Sequence, residues 1–394
     1  MSGEADSRAL REIAAGARAA QIFALDTEFM GEGRYRTLLC LIQLAIPDVD
    51  AMGERIELID PLAGDLDGGP LAQILAESGV RVVVHAGRQD IALLRRRLGT
   101  EVKGVFDTQV AAGFAGFGAQ SSYEALLAEV LGVRVSKSAS FTRWDARPLT
   151  AEQRSYARED VVHLLELSAE LERRLEALGR LEWALEECAA LESSSDERDV
   201  ETVFERLPRV RSLSATARPV ARELVAWREE LAEREDRTVQ SVLSDAALME
   251  VARRAPDSRQ QLERIRGANS VRRRAADVLE AVRRGRARPP EPAPRLPRVH
   301  APRSDDAPLI ALSEALVRAR ARDAGIAYEL IAARAELQAI DASRRSGSNE
   351  PDVRTLRGWR RELVGEELLE LLSGRVSLSV RDGGVRADAR GDAI

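Results

Sequence analysis

Residues 21–30 read QIFALDTEFM, an apolar run of strand length that closes on two acids, Asp26 and Glu28. Alternate side chains of a strand share a face, so both carboxylates point the same way, opposite Leu25 and Thr27. Outward from this stretch, 38–46 (LLCLIQLAI), 56–60 (IELID) and 81–85 (RVVVH) are further short apolar runs bounded by Gly, Pro and charge, which marks them as strands. Helical spacing lies between or after them, at 7–19, 70–78 and 89–98, and in SSYEALLAEVLG, which starts at Ser121 or Ser122 and stops near Gly132. This interleaving predicts an α/β domain with a mixed sheet flanked by helices.

Beyond residue 151 no strand pattern returns until 375–380. Thr150-Ala-Glu-Gln153 is a capping box that opens a long helix bearing Tyr156 and Asp160, with more helix to about residue 191 and a polar break at ESSSDERD. A first domain over 1–195 follows. Residues 206–288 form a second, all-α block of four or five short helices. The segment 289–308 holds seven of the fifteen prolines and reads as an extended linker. A third helical block is expected over 309–380, with a disordered tail at 381–394.

With 394 residues, 44% of them hydrophobic, the chain can form two or three cores. Two cysteines and three scattered histidines exclude a disulfide framework and a Cys- or His-based zinc site, so any metal must be held by oxygen, which points to Mg²⁺ or Mn²⁺. The acidic start MSGEADSRALREIAAGARAAQ lacks an apolar signal region, and no stretch suits a membrane span, so a cytoplasmic protein with no membrane association is expected. Net charge is −6, yet between Arg253 and Arg288 twelve arginines face four acids, with Arg272, Arg273 and Arg274 consecutive. That local excess is the footprint expected for RNA contact.

Asp90 follows the strand at 81–85 through Ala86-Gly87 and begins a helix, where it suits either a ligand role or simple capping. Tyr156 and Asp160, four residues apart on a helix, share a face. Taken singly, each feature has an ordinary structural explanation. Taken together, Asp26, Glu28, Asp90 and Asp160 are the acids that two divalent ions roughly 4 Å apart would need for phosphodiester hydrolysis.

The order DTEFM, HAGRQD and Y-x-x-x-D resembles the three exonuclease motifs of the DEDDy family, whose catalytic domain is RNase H-like. RYRTLLCLIQLA, IDPL, FDTQVAAGF and KSASFTRWDARPLTAEQRSYAREDV bring the chain closest to the ribonuclease D family. The resemblance implies that Asp26, Glu28, Asp90 and Asp160 bind two divalent metal ions, Mg²⁺ or Mn²⁺, and that Tyr156 orients the attacking water. It implies a 3′→5′ exoribonuclease that acts on RNA with a free 3′ end, such as tRNA precursors or other small structured RNAs, and releases 5′-mononucleotides; a monomer is expected. AWREELAERED, VLSDAALMEVARRAPDS and RIRGANS resemble an HRDC domain; YELIAARAELQAI and GWRRELVGEEL resemble a second, degenerate copy. The implied architecture is an RNase H-like α/β domain followed by two all-α HRDC-like bundles.

Further substrate contacts are expected from Lys137, Arg143, Trp144 and Arg147, a basic-aromatic loop before the Tyr156 helix. Trp144 equally suits a core anchor. Phe29 suits a base wedge or the core, and His85 suits a cleft contact or a packed imidazole. A DNA exonuclease using the same acids, and an inert RNA-binding adaptor, are the competing readings.

Overall fold

The computed structural model describes residues 3–48, 53–135, 143–292, 307–347 and 349–389. Most of the expected linker, Lys137 and the last five residues lie outside these ranges. The first domain runs α1 (Gly3–Ala20), β1 (Ile22–Met30), β2 (Leu38–Asp48), β3 (Gly53–Ile59), α2 (Gly69–Ala76), β4 (Arg81–Val84), α3 (Arg88–Leu98), β5 (Val105–Asp107), α4 (Thr108–Phe114), α5 (Tyr123–Leu126), α6 (Ala151–Glu159), α7 (Leu164–Ala177) and α8 (Leu181–Ala189). The sheet order is β3-β2-β1-β4-β5, with β1 antiparallel to β2 and parallel to β4. β1, the strand with the acid pair, is therefore central.

Strand alternation sorts the core onto two sides. Phe23, Leu25, Ile42, Leu44 and Ile46 pack with Leu10, Ile13, Leu71, Ile74 and Ile91 on the side of α1, α2 and α3. Ala24, Ala45 and Val83 face the other way, against Phe114, Leu164, Leu167 and Leu171. β5 has no counterpart among the expected strands: at three residues it is too short to show a period, and burial on all three hides any alternation.

Three further expectations are corrected. The helix opened by the Thr150 capping box, which is present as expected, does not continue. It ends at Glu159, residues 160–163 form a turn, and α7 starts at Leu164. Consecutive β-branched Val161 and Val162 weaken helix continuation there. The last block is not all helical, and residues 381–389 belong to a hairpin of β6 (Val376–Arg381) and β7 (Gly384–Ala389). Its two-residue turn, Asp382-Gly383, has φ of 51° and 72°, the left-handed pair that Asp-Gly favours in tight hairpins. Nor does this block stand apart. Trp359 stacks on Trp183 (centroids 5.4 Å apart) and meets Phe114 edge-on at 5.0 Å, while Arg360 Nη2 donates to Glu187 Oε2 at 2.7 Å. Leu316, Leu337 and Leu368 thus share one core with Phe114 and Leu171.

The middle block has its own core around Leu224, Leu248, Val278 and Val282. Helix 217–234 lies so close to helix 275–287 that a Cβ on Gly285 would sit 2.4 Å from Val220 Cα, so only glycine fits. This block docks on the loop that leaves β1: Tyr35 Oη donates to Glu229 at 3.0 Å and Arg36 Nε to Glu233 at 2.8 Å. Among the described residues, no helix is long and apolar enough to cross a membrane.

Candidate active site

β1 delivers Asp26 and Glu28 to the sheet face covered by α7, as alternation requires. The turn after α6 brings in Asp160, whose N–H still bonds to the Tyr156 carbonyl at 3.2 Å. Carboxylate oxygens of Asp26, Glu28 and Asp160 all lie within 4.8 Å of one another. Asp90 sits in the first turn of α3, only 7% exposed, and accepts a hydrogen bond from the Thr27 hydroxyl. Thr27, between the two acids of β1, therefore ties the fourth carboxylate to the strand that carries the first two.

The acids raise one another's proton affinity. Burial and then the charges of Asp90, Asp160 and Glu28 hold the Asp26 carboxyl well above the usual range. Burial, with Asp160 and Asp90, pushes Glu28 up to about 8. Burial, with Glu124 and Glu159, lifts Asp160 to about 7. Asp90 rises only to about 6, because burial is opposed by the Thr27 hydrogen bond. No basic side chain is prominent among the influences on Asp26 or Glu28. Partly buried acids held together with no ion pair to a basic side chain among the described residues fit a hard divalent cation, which takes oxygen ligands and is completed by substrate phosphate.

Tyr156 is half-buried and its phenol is raised by burial and by Asp160, Glu28 and Asp26, so it stays protonated near neutrality. A second tyrosine, for which the sequence offers no signal, feels two of the same acids. The Tyr123 hydroxyl is enclosed, and its titration is raised by burial and by Asp160, Glu54 and Asp26.

The remaining sequence candidates scatter. Phe29 packs toward α1–α3, on the opposite face from Asp26 and Glu28. The His85 ring tilts against Tyr123 at 5.6 Å, with Nδ1 3.0 Å from Thr108 Oγ1. Thr108 Oγ1 in turn donates to Val84 O at 3.1 Å, and burial lowers the pKa of the His85 ring. Trp144 is 4% exposed and packs on Cys40, Leu41, Leu58 and Ala157, with its ring 6.1 Å from Tyr156. Arg143 is exposed and paired with Asp145 at 2.8 Å. Arg272 and Arg273 are exposed and unpaired among the described residues, whereas Arg274 bonds Glu235 at 2.5 Å; all three lie in the middle block.

Arg147 has no donor to spare. Nε and Nη2 grip Asp60, Nη2 also reaches Cys40 O at 2.7 Å, and Nη1 serves Trp144 O and Ala146 O at 2.7 and 2.8 Å. With its five N–H groups engaged, it fastens the loop under Tyr156. Arg147→Ala should cost roughly 2–3 kcal/mol in urea unfolding, since several acceptors lose their partner. RNA affinity of the folded variant should stay unchanged; weaker binding without lost stability would return Arg147 to the phosphate contacts.

Comparison with known proteins supplies the family. Residues 4–176 match the family model described as 3′-5′ exonuclease, and 217–282 match that of the HRDC domain. A ribonuclease D of Granulibacter bethesdensis is 36% identical over 361 residues, covering 90% of this chain and 88% of its own length. Ribonuclease D of Gluconacetobacter diazotrophicus is 37% identical over 362 residues, covering 91% and 89%. The crystal structure of Escherichia coli RNase D, described as an exoribonuclease involved in structured RNA processing, superposes with a TM-score of 0.79 at 29% identity, covering 93% of this chain and 97% of that one.

Proposed function

The chain belongs to the ribonuclease D family, and from that premise we propose that it trims the 3′ ends of structured RNAs, tRNA precursors among them, by hydrolysis that depends on two divalent metal ions. The observation that carries this reading is the convergence of the Asp26, Glu28 and Asp160 carboxylates within 4.8 Å, with Asp90 close enough to raise the proton affinity of two of them. These four acids would hold Mg²⁺ or Mn²⁺. Such ions supply charge neutralisation at the phosphate and make water a competent nucleophile at neutral pH.

The protein's own groups do the rest. Tyr156, kept protonated by burial and then by its acidic neighbours, orients the attacking water through its hydroxyl rather than by taking its proton. Trp144, tilted against the phenol with ring centroids 6.1 Å apart, supports the ring that carries that hydroxyl. Water attacks phosphorus and the 3′ oxygen leaves, so each turnover releases a 5′-mononucleotide. The enzyme is a hydrolase acting from the 3′ end, in keeping with its family, and we place it in the cytoplasm as a monomer.

Arg272 and Arg273, free of ion partners among the described residues, suit phosphate contact on the middle block. Changing both to Glu should weaken binding of a 3′-extended tRNA precursor and reduce the slope of log K against log salt by about 1 for each phosphate no longer neutralised. Fluorescence anisotropy across a salt series measures this, alongside gel analysis of precursor trimming. An unchanged salt slope would take these arginines out of the interface, and failure of the wild type to trim the precursor would overturn the substrate reading.

A further inference from the structure

The strand β2 carries one side chain that its packing does not account for. Ile42, Leu44 and Ile46 bury themselves toward α1–α3, while Leu41 and Ala45 bury themselves on the opposite side of the sheet. Gln43 stands between Leu41 and Ala45, the one amide in LLCLIQLAI. It is 0% exposed, and neither Oε1 nor Nε2 has a hydrogen-bond partner among the described residues. A buried polar group left unpaired is destabilising, a penalty that leucine or methionine at the same place would avoid.

The register supplies the reason to keep it. β1 and β2 pair Asp26 with Gln43 and Glu28 with Leu41, so Gln43 is the cross-strand neighbour of Asp26 on the face that holds the acids. Such neighbours have Cβ atoms about 4.5–5.5 Å apart, within reach of a glutamine amide directly or through one buried water.

We infer that Gln43 is a positioning residue for the metal site, its Nε2 donating through one buried water to the Asp26 carboxylate and so fixing the direction in which Asp26 presents an oxygen to the cation. An ionised carboxylate accepts on both oxygens, and one can meet the water held by the amide while the other meets the ion. The charge-assisted bond offsets the burial of the amide. Thr27 and Gln43 then divide the support of the site: the hydroxyl steadies Asp90, and the amide steadies Asp26. The inference rests on the reading of Asp26 as a cation ligand.

The test is Mn²⁺ binding, followed by the electron paramagnetic resonance signal of the free ion, together with melting in EDTA, for wild type, Gln43→Met, Gln43→Leu and Asp26→Ala. Both Gln43 variants should melt at or above the wild-type temperature, yet bind Mn²⁺ roughly tenfold more weakly, the loss typical when a metal ligand's supporting hydrogen bond is removed. Their kcat should fall while KM for RNA holds. Wild-type Mn²⁺ affinity in the Gln43 variants would overturn the inference. Loss of the fold in both would also overturn it, assigning the amide to the fold instead. Failure of the parent reading looks different: wild type would bind no Mn²⁺, or Asp26→Ala would bind it as wild type does.

Discussion

Asp26→Ala should abolish RNA hydrolysis while leaving the fold intact. A metal site contributes several kcal/mol of charge stabilisation, and losing it corresponds to a rate at least about a thousandfold lower. The accompanying stability change separates a ligand from a structural aspartate. Asp26 is crowded by Asp90, Asp160 and Glu28, each of which raises its proton affinity. Removing it relieves that repulsion, so the variant in EDTA should melt at or above the wild-type temperature. An aspartate that held the fold together would show the reverse, a lower melting point with activity lost only in proportion. Initial rates in Mn²⁺ and melting curves in EDTA check both halves, and near-normal turnover would exclude Asp26 from the site.

The second large effect is on stability against pH. Glu28 titrates at about 8 and Asp160 at about 7 in the folded protein, Asp90 at about 6, against ordinary values of 4.5 for Glu and 3.8 for Asp. Folded-state values raised in this way mean that, between roughly pH 4 and pH 8, the folded chain holds protons that the unfolded chain has released. Stability from these groups is fully present below the unfolded values and is lost as pH rises through the folded ones. In EDTA the melting temperature should therefore fall from about pH 5 to about pH 8. Mg²⁺ takes the place of the protons, so it should raise the melting temperature more at the upper end of that range than at the lower. A profile that is flat in EDTA, or a Mg²⁺ effect independent of pH, would show that the acids do not act as one coupled cluster.

The acid pair on β1 is legible in the sequence because strand alternation leaves little choice: with Leu25 in the core, Asp26 and Glu28 must face the other way. The Thr150 capping box is legible for a similar local reason, each partner being three residues from the other. What the sequence misplaces depends on distant partners. Asp160 reads as a mid-helix residue, whereas the helix stops before it and a turn carries it to the β1 acids. Arg147 reads as a free cation beside the cleft, yet its acceptors include Asp60 and Cys40, far away in the chain. Trp359 reads as part of a separate bundle, because an apolar side chain does not declare its partner, here Trp183 and Phe114. The hairpin is the exception. Asp382-Gly383 is a local signal, masked by the charged, glycine-rich composition around it.

Digestion of one 5′-labelled RNA oligonucleotide and its DNA counterpart, in Mg²⁺, Mn²⁺ or EDTA, with wild type beside Asp26→Ala, tests the central claim most directly. A ladder that shortens from the 3′ end of the RNA, requires the metal and vanishes in the variant is the expected result. Preference for the DNA strand, activity persisting in EDTA, or tight binding with no ladder at all would contradict it.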